Sequence, residues 1–250
     1  MDTVALELDC VSLDLRSSRS TIKKAIINLA SRNTILEEQK GGRTRILKSI
    51  SCTIHKKERV ALIGHNGSGK TSFLRLISGI YTPSEGSIKS YVSVYPMINR
   101  GLMTGPELTG YDAIKAQYLI QNKSIGGFDQ YLSEIKTFSE LGEYIYMPTK
   151  SYSQGMHARL LFAILTSGTY ECLAIDEGFG HGDIRFFSKA QERLKEFVDN
   201  SGTMFLASHS EPLIRQFCER ALVFSNGSIV FDGHVDEALP FYYEEILSDN

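Results

Sequence analysis

No apolar run in the chain approaches the roughly 18 residues that a membrane-crossing helix needs. The start, Met1-Asp2-Thr3, also lacks the basic segment of a secretory signal. If the protein works at a membrane, it is expected to work from outside the lipid. Charge of one sign is missing too: 27 Lys and Arg stand against 29 Asp and Glu, for a formal net charge of -2 and a pI of about 6.3. Without a broad positive field to displace counterions, nucleic acid is not expected as a partner. The four cysteines, Cys10, Cys52, Cys172 and Cys218, show no CxxC spacing. Each lies among apolar or strand-like neighbours, so buried free thiols in a reducing cytosol are expected. Internal repeats and low-complexity tails are absent. What remains is the composition of an ordinary globular chain of 250 residues, long enough for one substantial core and a subdomain.

Residues 5 to 15 and 46 to 54 alternate polar and apolar, which predicts half-buried strands of an antiparallel sheet. Between them Ile22, Ala25, Ile26, Leu29 and Ala30 recur at helical spacing beside Lys23, Lys24 and Arg32, before a polar loop from Glu37 to Arg45. From Arg59 the pattern changes. Short apolar runs at Val60–Ile63, Cys172–Ile175 and Met204–Ala207 alternate with helical stretches, as in a parallel sheet covered on both faces. Residues 107 to 145 hold two helical patterns, around Tyr111 to Gln121 and Phe128 to Leu141, with no strand between them. Near the end, the segment around Asn226-Gly227 predicts a hairpin, because that dipeptide accepts the positive φ of a tight turn.

Three motifs carry chemistry. Gly64-His65-Asn66-Gly67-Ser68-Gly69-Lys70-Thr71 fits the P-loop pattern GxxxxGK[ST], and it lies between the strand Arg59–Ile63 and a helical run from Ser72 to Ile80. Its glycines let backbone N–H groups turn inward around phosphates. Lys70 reaches the β and γ phosphates, and the Thr71 hydroxyl can ligate Mg²⁺. Some hundred residues later, Glu171-Cys-Leu-Ala-Ile-Asp176-Glu177 is an apolar strand ending in two carboxylates. Side chains alternate along a strand, so the pair divides its work: Asp176 would hold Mg²⁺, and Glu177 would polarise a water for attack on the γ-phosphate. Acidic residues also end strands without any such role. Third, Tyr152-Ser153-Gln154-Gly155-Met156 precedes a helical run, and Ser153, Gly155 and that helix N-terminus suit a second anion. Read alone, Ser153 is an ordinary N-cap.

This segment resembles the LSGGQ signature of ABC (ATP-binding cassette) proteins. The resemblance implies an α/β P-loop ATPase core with an N-terminal antiparallel β subdomain and an inserted helical subdomain. Its limits are expected at 1–58, with the amphipathic helix at about 20–31, and at 102–158, the remainder being RecA-like core. It also implies a homodimer enclosing two ATP molecules, in which Ser153 and Gly155 complete the partner's site. His209, directly after the strand Met204–Ala207, matches the switch histidine that contacts the γ-phosphate, and Asp183 matches the loop that crosses the dimer interface. The phosphate-binding set is then Gly64 through Ser72, with Thr71, Asp176 and Asn99 toward Mg²⁺ and Glu177 and His209 as catalytic residues. His55, His65, His157 and His234 are otherwise structural.

The chain is most similar to the ATPase subunits of bacterial polysaccharide exporters. Pro106-Glu-Leu-Thr-Gly110, Phe138-Ser-Glu-Leu-Gly-Glu-Tyr144, the Tyr152 segment (that family reads YSSGM) and Asp176-Glu-Gly-Phe-Gly-His-Gly-Asp183 carry the likeness. It implies integral-membrane permease partners, a lipid-linked polysaccharide as cargo, and a position on the cytoplasmic side of the inner membrane. Another cargo, or a soluble ATPase without transport, are the alternatives. The helix around Ile22 to Ala30 would lie near the membrane interface or cap the β subdomain. Larger members append a carbohydrate-binding domain, which is not expected here. Three departures stand out. The aromatic that stacks on adenine is replaced at Leu15, which implies weak base selectivity or a substitute contact. The segment Tyr95 to Gly101 has no glutamine, leaving Asn99 to act through water. Gln154 occupies a position where a small residue is usual.

Overall fold

Two sheets and a helical layer organise the described residues, which are 3–16, 38–39, 43–97, 105–122, 126–176, 189–190, 192–193, 195–197 and 202–246 of the computed structural model. The alternating N-terminal segments form β1 (Val4–Arg16) and β3 (Arg43–His55), paired antiparallel, with a two-residue β2 (Glu38–Gln39) on the outer edge of β3. Part of the expected loop from Glu37 to Arg45 is therefore strand. The amphipathic segment from Ile22 to Ala30 lies outside the described residues.

One expectation is corrected in this sheet. Cys10 is exposed, while the other three cysteines are buried. The register of β1 against β3 shifts between Leu8 and Val11, so β1 carries an extra residue there. Cys10 takes a φ of 48°, and its N–H donates to Ser51 Oγ at 2.9 Å. The bulge keeps Leu6, Leu8, Val11 and Leu13 in the core and turns the cysteine out.

β4 (Arg59–Ile63) begins the second sheet, and the P-loop leads from it into α1 (Lys70–Ile77). This helix is shorter than the expected run to Ile80, because Gly79, at a φ of 72°, ends it after Ser78. Then β5 (Glu85–Ser90) returns to the first sheet beside β1, giving the order β2-β3-β1-β5. β6 (Val94–Met97) is an edge strand of the second sheet, a position that tolerates Pro96.

The helical layer contains α2 (Gly110–Asn122), α3 (Phe128–Ser139) and α4 (Gln154–Thr166), with short 3₁₀ turns at Gly142–Tyr146 and Thr149–Ser151. Its aromatic-rich core includes Tyr118, Phe128, Tyr131, Phe138 and Tyr152. After it come β7 (Cys172–Ile175), β8 (Thr203–Ala207), α5 (Glu211–Phe217), the hairpin β9 (Arg220–Ser225) and β10 (Ser228–His234), and α6 (Val235–Phe241). The second sheet runs β10-β9-β4-β8-β7-β6, all parallel except β10. As expected, Asn226 and Gly227 turn the hairpin with φ of 48° and 83°.

One apolar cluster lies between the first sheet, α1 and one face of the second sheet, and another packs α5 and α6 on the opposite face. Among the described residues no helix is long and apolar enough to cross a membrane. Burial pushes the thiols of Cys52, Cys172 and Cys218 up to about 12. They are therefore protonated as well as shielded at neutral pH. The native protein is expected to release one equivalent of thiolate quickly with a disulfide reagent, from Cys10, and four in denaturant. Two or more fast thiols would contradict the burial.

Candidate phosphate-binding site

Strand order sets this site. β4 lies beside β8, and β8 beside β7. Because all three run parallel, their C-terminal ends open on the same edge of the sheet, where ligands of such sheets bind. The P-loop leaves β4, His209 follows β8, and Asp176 directly follows β7. Three segments distant in sequence are thus neighbours because adjacent strands are only about 4.8 Å apart.

The loop's shape is forced by what surrounds it. A Cβ on Gly64 would lie 2.4 Å from the Phe224 carbonyl oxygen and 2.7 Å from Ser68 Oγ. Gly69, at a φ of 114°, is the N-cap of α1 and offers no capping side chain, so the helix's first N–H groups are left to a ligand. Lys70 is buried, and its Nζ donates to the carbonyls of Gly64 at 2.6 Å and His65 at 3.1 Å. The ammonium is therefore folded back over the loop it serves. Ser68 Oγ is buried without a hydrogen-bond partner among the described residues. Such an unpaired hydroxyl costs about 1–3 kcal/mol and is usually tolerated where function asks for it.

Thr71 Oγ1 donates to Asp176 Oδ2 at 2.7 Å, which joins the P-loop helix to the end of β7. Asn66 Oδ1 lies 3.2 Å from His209 Nε2, so the imidazole with its proton on Nε2 donates to the loop. The cleft between the loop and Asp176 measures about 270 Å³ and is lined by Ile46, Asn66, Gly67, Gly69, Lys70, Thr71, Ser72 and Asp176, whereas His209 lines a separate cavity of about 230 Å³. Backbone donors, one ammonium and, among the described residues, no aromatic wall make it suited to a polyanion. The fit to Mg²⁺ is good as well: a hydroxyl and a carboxylate oxygen within hydrogen-bonding distance are hard donors of the kind this ion takes alongside phosphate and water.

The sequence-predicted residues from Gly64 to Ser72, with Asp176 and His209, thus come together. Ser153 and Gly155 do not line this cleft. Ser153 caps α4, accepting from the Met156 N–H at 3.2 Å, and a Cβ on Gly155 would meet Ser153 Oγ at an ordinary contact distance of 3.8 Å. Glu177, Asn99 and Asp183 lie outside the described residues. Two contributors went unnoticed in the sequence. One is Ile46, whose place on the cleft follows only from the register of β3. The other is the contact of Asn66 with His209, which spans 143 positions.

Comparison with known proteins gives concordant results. The ABC transporter family model matches residues 47–180. The chain is 36% identical over 208 residues to the O-antigen export system ATP-binding protein RfbE of Yersinia enterocolitica, covering 79% of this chain and 87% of that one. It is 37% identical over 205 residues to the capsule polysaccharide export ATP-binding protein CtrD of Neisseria meningitidis, covering 82% and 92%. A teichoic acids export ATP-binding protein, TagH of Staphylococcus haemolyticus, is 34% identical over 236 residues, covering 94% and 84%. Among solved structures, an ATP-binding subunit of an ABC transporter superposes with a TM-score of 0.69 at 17% identity, covering 98% of this chain and 97% of that one. A dimeric ATP-binding cassette bound to ADP and Pi superposes with the same score at 16% identity, covering 92% and 98%. These likenesses bear out the expected fold.

Replacement of Asp176 by Asn is expected to cut Mg²⁺-dependent ATP hydrolysis by about 100-fold or more. ATP binding in chelator should be little changed. Lys70→Ala should weaken binding in both conditions. Equal losses with and without metal for Asp176→Asn would remove it from the metal site.

Proposed function

The chain belongs to the ABC transporter family, and we propose that within it this protein is the ATP-hydrolysing subunit that drives export of a lipid-linked cell-surface polysaccharide. The observation that carries the cargo is the identity of 34 to 37% to subunits named for O-antigen, capsule and teichoic acid export. Three different glycans share this level of likeness, so the class of cargo follows but not one sugar.

In this reading the P-loop amides and Lys70 hold the phosphates of ATP, and Lys70 exchanges its two carbonyl partners for phosphate oxygens. Thr71 and Asp176 hold Mg²⁺, which when bound neutralises charge developing on the β and γ phosphates. Glu177, next after Asp176 in the chain, takes a proton from the attacking water. His209, placed beside the loop, turns its Nε2–H from Asn66 Oδ1 to an oxygen of the γ-phosphate. Asn99 acts on the metal site through water.

Ser153 and Gly155 present the start of α4 to the nucleotide of a second copy, so a homodimer encloses two ATP molecules, with Asp183 at the interface. The exposure of Ser153 and Gln154 supports this, because among the described residues the start of α4 does not line its own chain's cleft. ATP favours the closed dimer and hydrolysis removes the bridging phosphate. The opening then passes through the helical layer to integral-membrane permease subunits at the cytoplasmic face of the inner membrane.

Glu177→Gln is expected to bind ATP normally, to lose about 100-fold or more in turnover and to elute as a dimer with ATP. In cells lacking the gene, lipid-linked glycan should accumulate inside while surface glycan disappears. Wild type should rescue this and Glu177→Gln should not. Unchanged turnover would remove Glu177 from its role, and unchanged surface and internal glycan would remove the cargo.

A further inference from the structure

The first 72 residues contain no Phe, Tyr or Trp, and the chain contains no Trp at all. The earliest aromatic, Phe73, is fully buried against Phe205 and Phe224 and cannot turn toward the cleft. Neither the first sheet nor the segment between β1 and β3 can therefore supply an aromatic platform for a nucleotide's base. Leu15 and Ile46 are both half-buried against the core, but of the two only Ile46 lines the cleft.

Among the described residues that line the cleft, Ile46 is the one apolar side chain, and every polar one belongs to the P-loop, its helix or Asp176. Ile46 is also held in place. The backbone at Gly227 approaches so closely that a Cβ there would be 2.3 Å from the Ile46 carbonyl oxygen. Hydrogen bonds from Lys48 N–H to the Gly227 carbonyl, at 2.8 Å, and from Gly227 N–H to the Ser68 carbonyl, at 3.0 Å, tie β3 to the P-loop.

We propose that Ile46 is the surface on which the base of the bound nucleotide rests, and that the site consequently accepts nucleoside triphosphates with little regard to the base. The proposal rests on the reading of this cleft as the nucleoside triphosphate site. Contact with an aliphatic side chain scales with the area covered, which is nearly the same for adenine and guanine. Stacking on an aromatic ring, worth about 5- to 150-fold in affinity, is not offered by the described residues that line the cleft. Discrimination between bases by large factors needs polar groups that the wrong base leaves unpaired, and an apolar wall has none to strand. The described polar groups instead gather at the phosphate end, so affinity comes mainly from the triphosphate.

The test is binding of ATP, GTP, CTP and inorganic tripolyphosphate, each with Mg²⁺, to the full chain by calorimetry. ATP, GTP and CTP should fall within about 10-fold of one another. Ile46→Tyr should tighten all three by about 5-fold or more without changing tripolyphosphate. Ile46→Ala should weaken all three several-fold, again sparing tripolyphosphate. A preference for ATP over GTP beyond about 10-fold would overturn the proposal by revealing a group that reads the base. So would Ile46 variants that leave the nucleotides unchanged or shift tripolyphosphate equally. The wild-type series decides base selectivity even if a variant fails to fold. Loss of binding by ATP and tripolyphosphate alike would instead overturn the nucleotide site itself, and the proposal with it.

Discussion

Gly227 brings three pieces of backbone together where no side chain fits. Its N–H reaches the Ser68 carbonyl, its own carbonyl receives the Lys48 N–H, and its Cα lies against the backbone of Ile46. At a φ of 83° the residue also sits where other residues are strained. The P-loop, β3 and the β9–β10 turn are therefore one rigid unit rather than three adjacent ones. Gly64 repeats the device one strand away, pressing the start of the loop onto the Phe224 carbonyl. Amides held this way need little rearrangement when a polyanion arrives, which is what makes a phosphate cradle effective.

Apolar packing fixes the same unit from below. Phe73, in the first turn of α1, meets Phe205 at 6.0 Å between ring centroids and Phe224 at 5.2 Å. Phe205 belongs to β8, the strand that delivers His209, and Phe224 to β9, the strand that leads to Gly227. Burying such a ring contributes about 2–3 kcal/mol, yet its position matters more than its magnitude. The helix that carries Lys70 and Thr71 is keyed into the strands that lead to His209 and Gly227.

Local grammar made much of this readable. The P-loop was legible because its glycines, lysine and flanking strand and helix are contiguous, and Asn226-Gly227 because a dipeptide suffices to mark a tight turn. Asp176 was legible as the end of a fully buried strand. β5 was not, since Glu85–Ser90 is mostly exposed and carries almost no apolar residues to alternate. The bulge that exposes Cys10 has no compositional mark either, because it arises from register with β3. Ile46 reads in the sequence as one more strand residue. Only the pairing of β3, and the close approach at Gly227, turn it toward the phosphate cleft.

The remaining constraint concerns how the helical layer is joined to the sheet. Gln117 of α2 donates to the Tyr95 hydroxyl and Gln121 to the Tyr170 hydroxyl, each at 2.5 Å, while the two tyrosine rings lie 4.4 Å apart. Tyr95 lies in β6, and Tyr170 stands just before β7, which ends at Asp176. Burial raises the pKa of both phenols, so they stay protonated and the contacts persist across the neutral range. A partly buried polar network tolerates few geometries, because each group must keep a partner. Rotation of α2 against the sheet must therefore carry the tyrosines with it or break both bonds. The bonded pair gives the helical layer a polar grip on the two strands nearest the Asp176 carboxylate. An apolar contact alone would let α2 slide, so the position of the helical layer and that of Asp176 are linked by hydrogen bonds rather than by proximity.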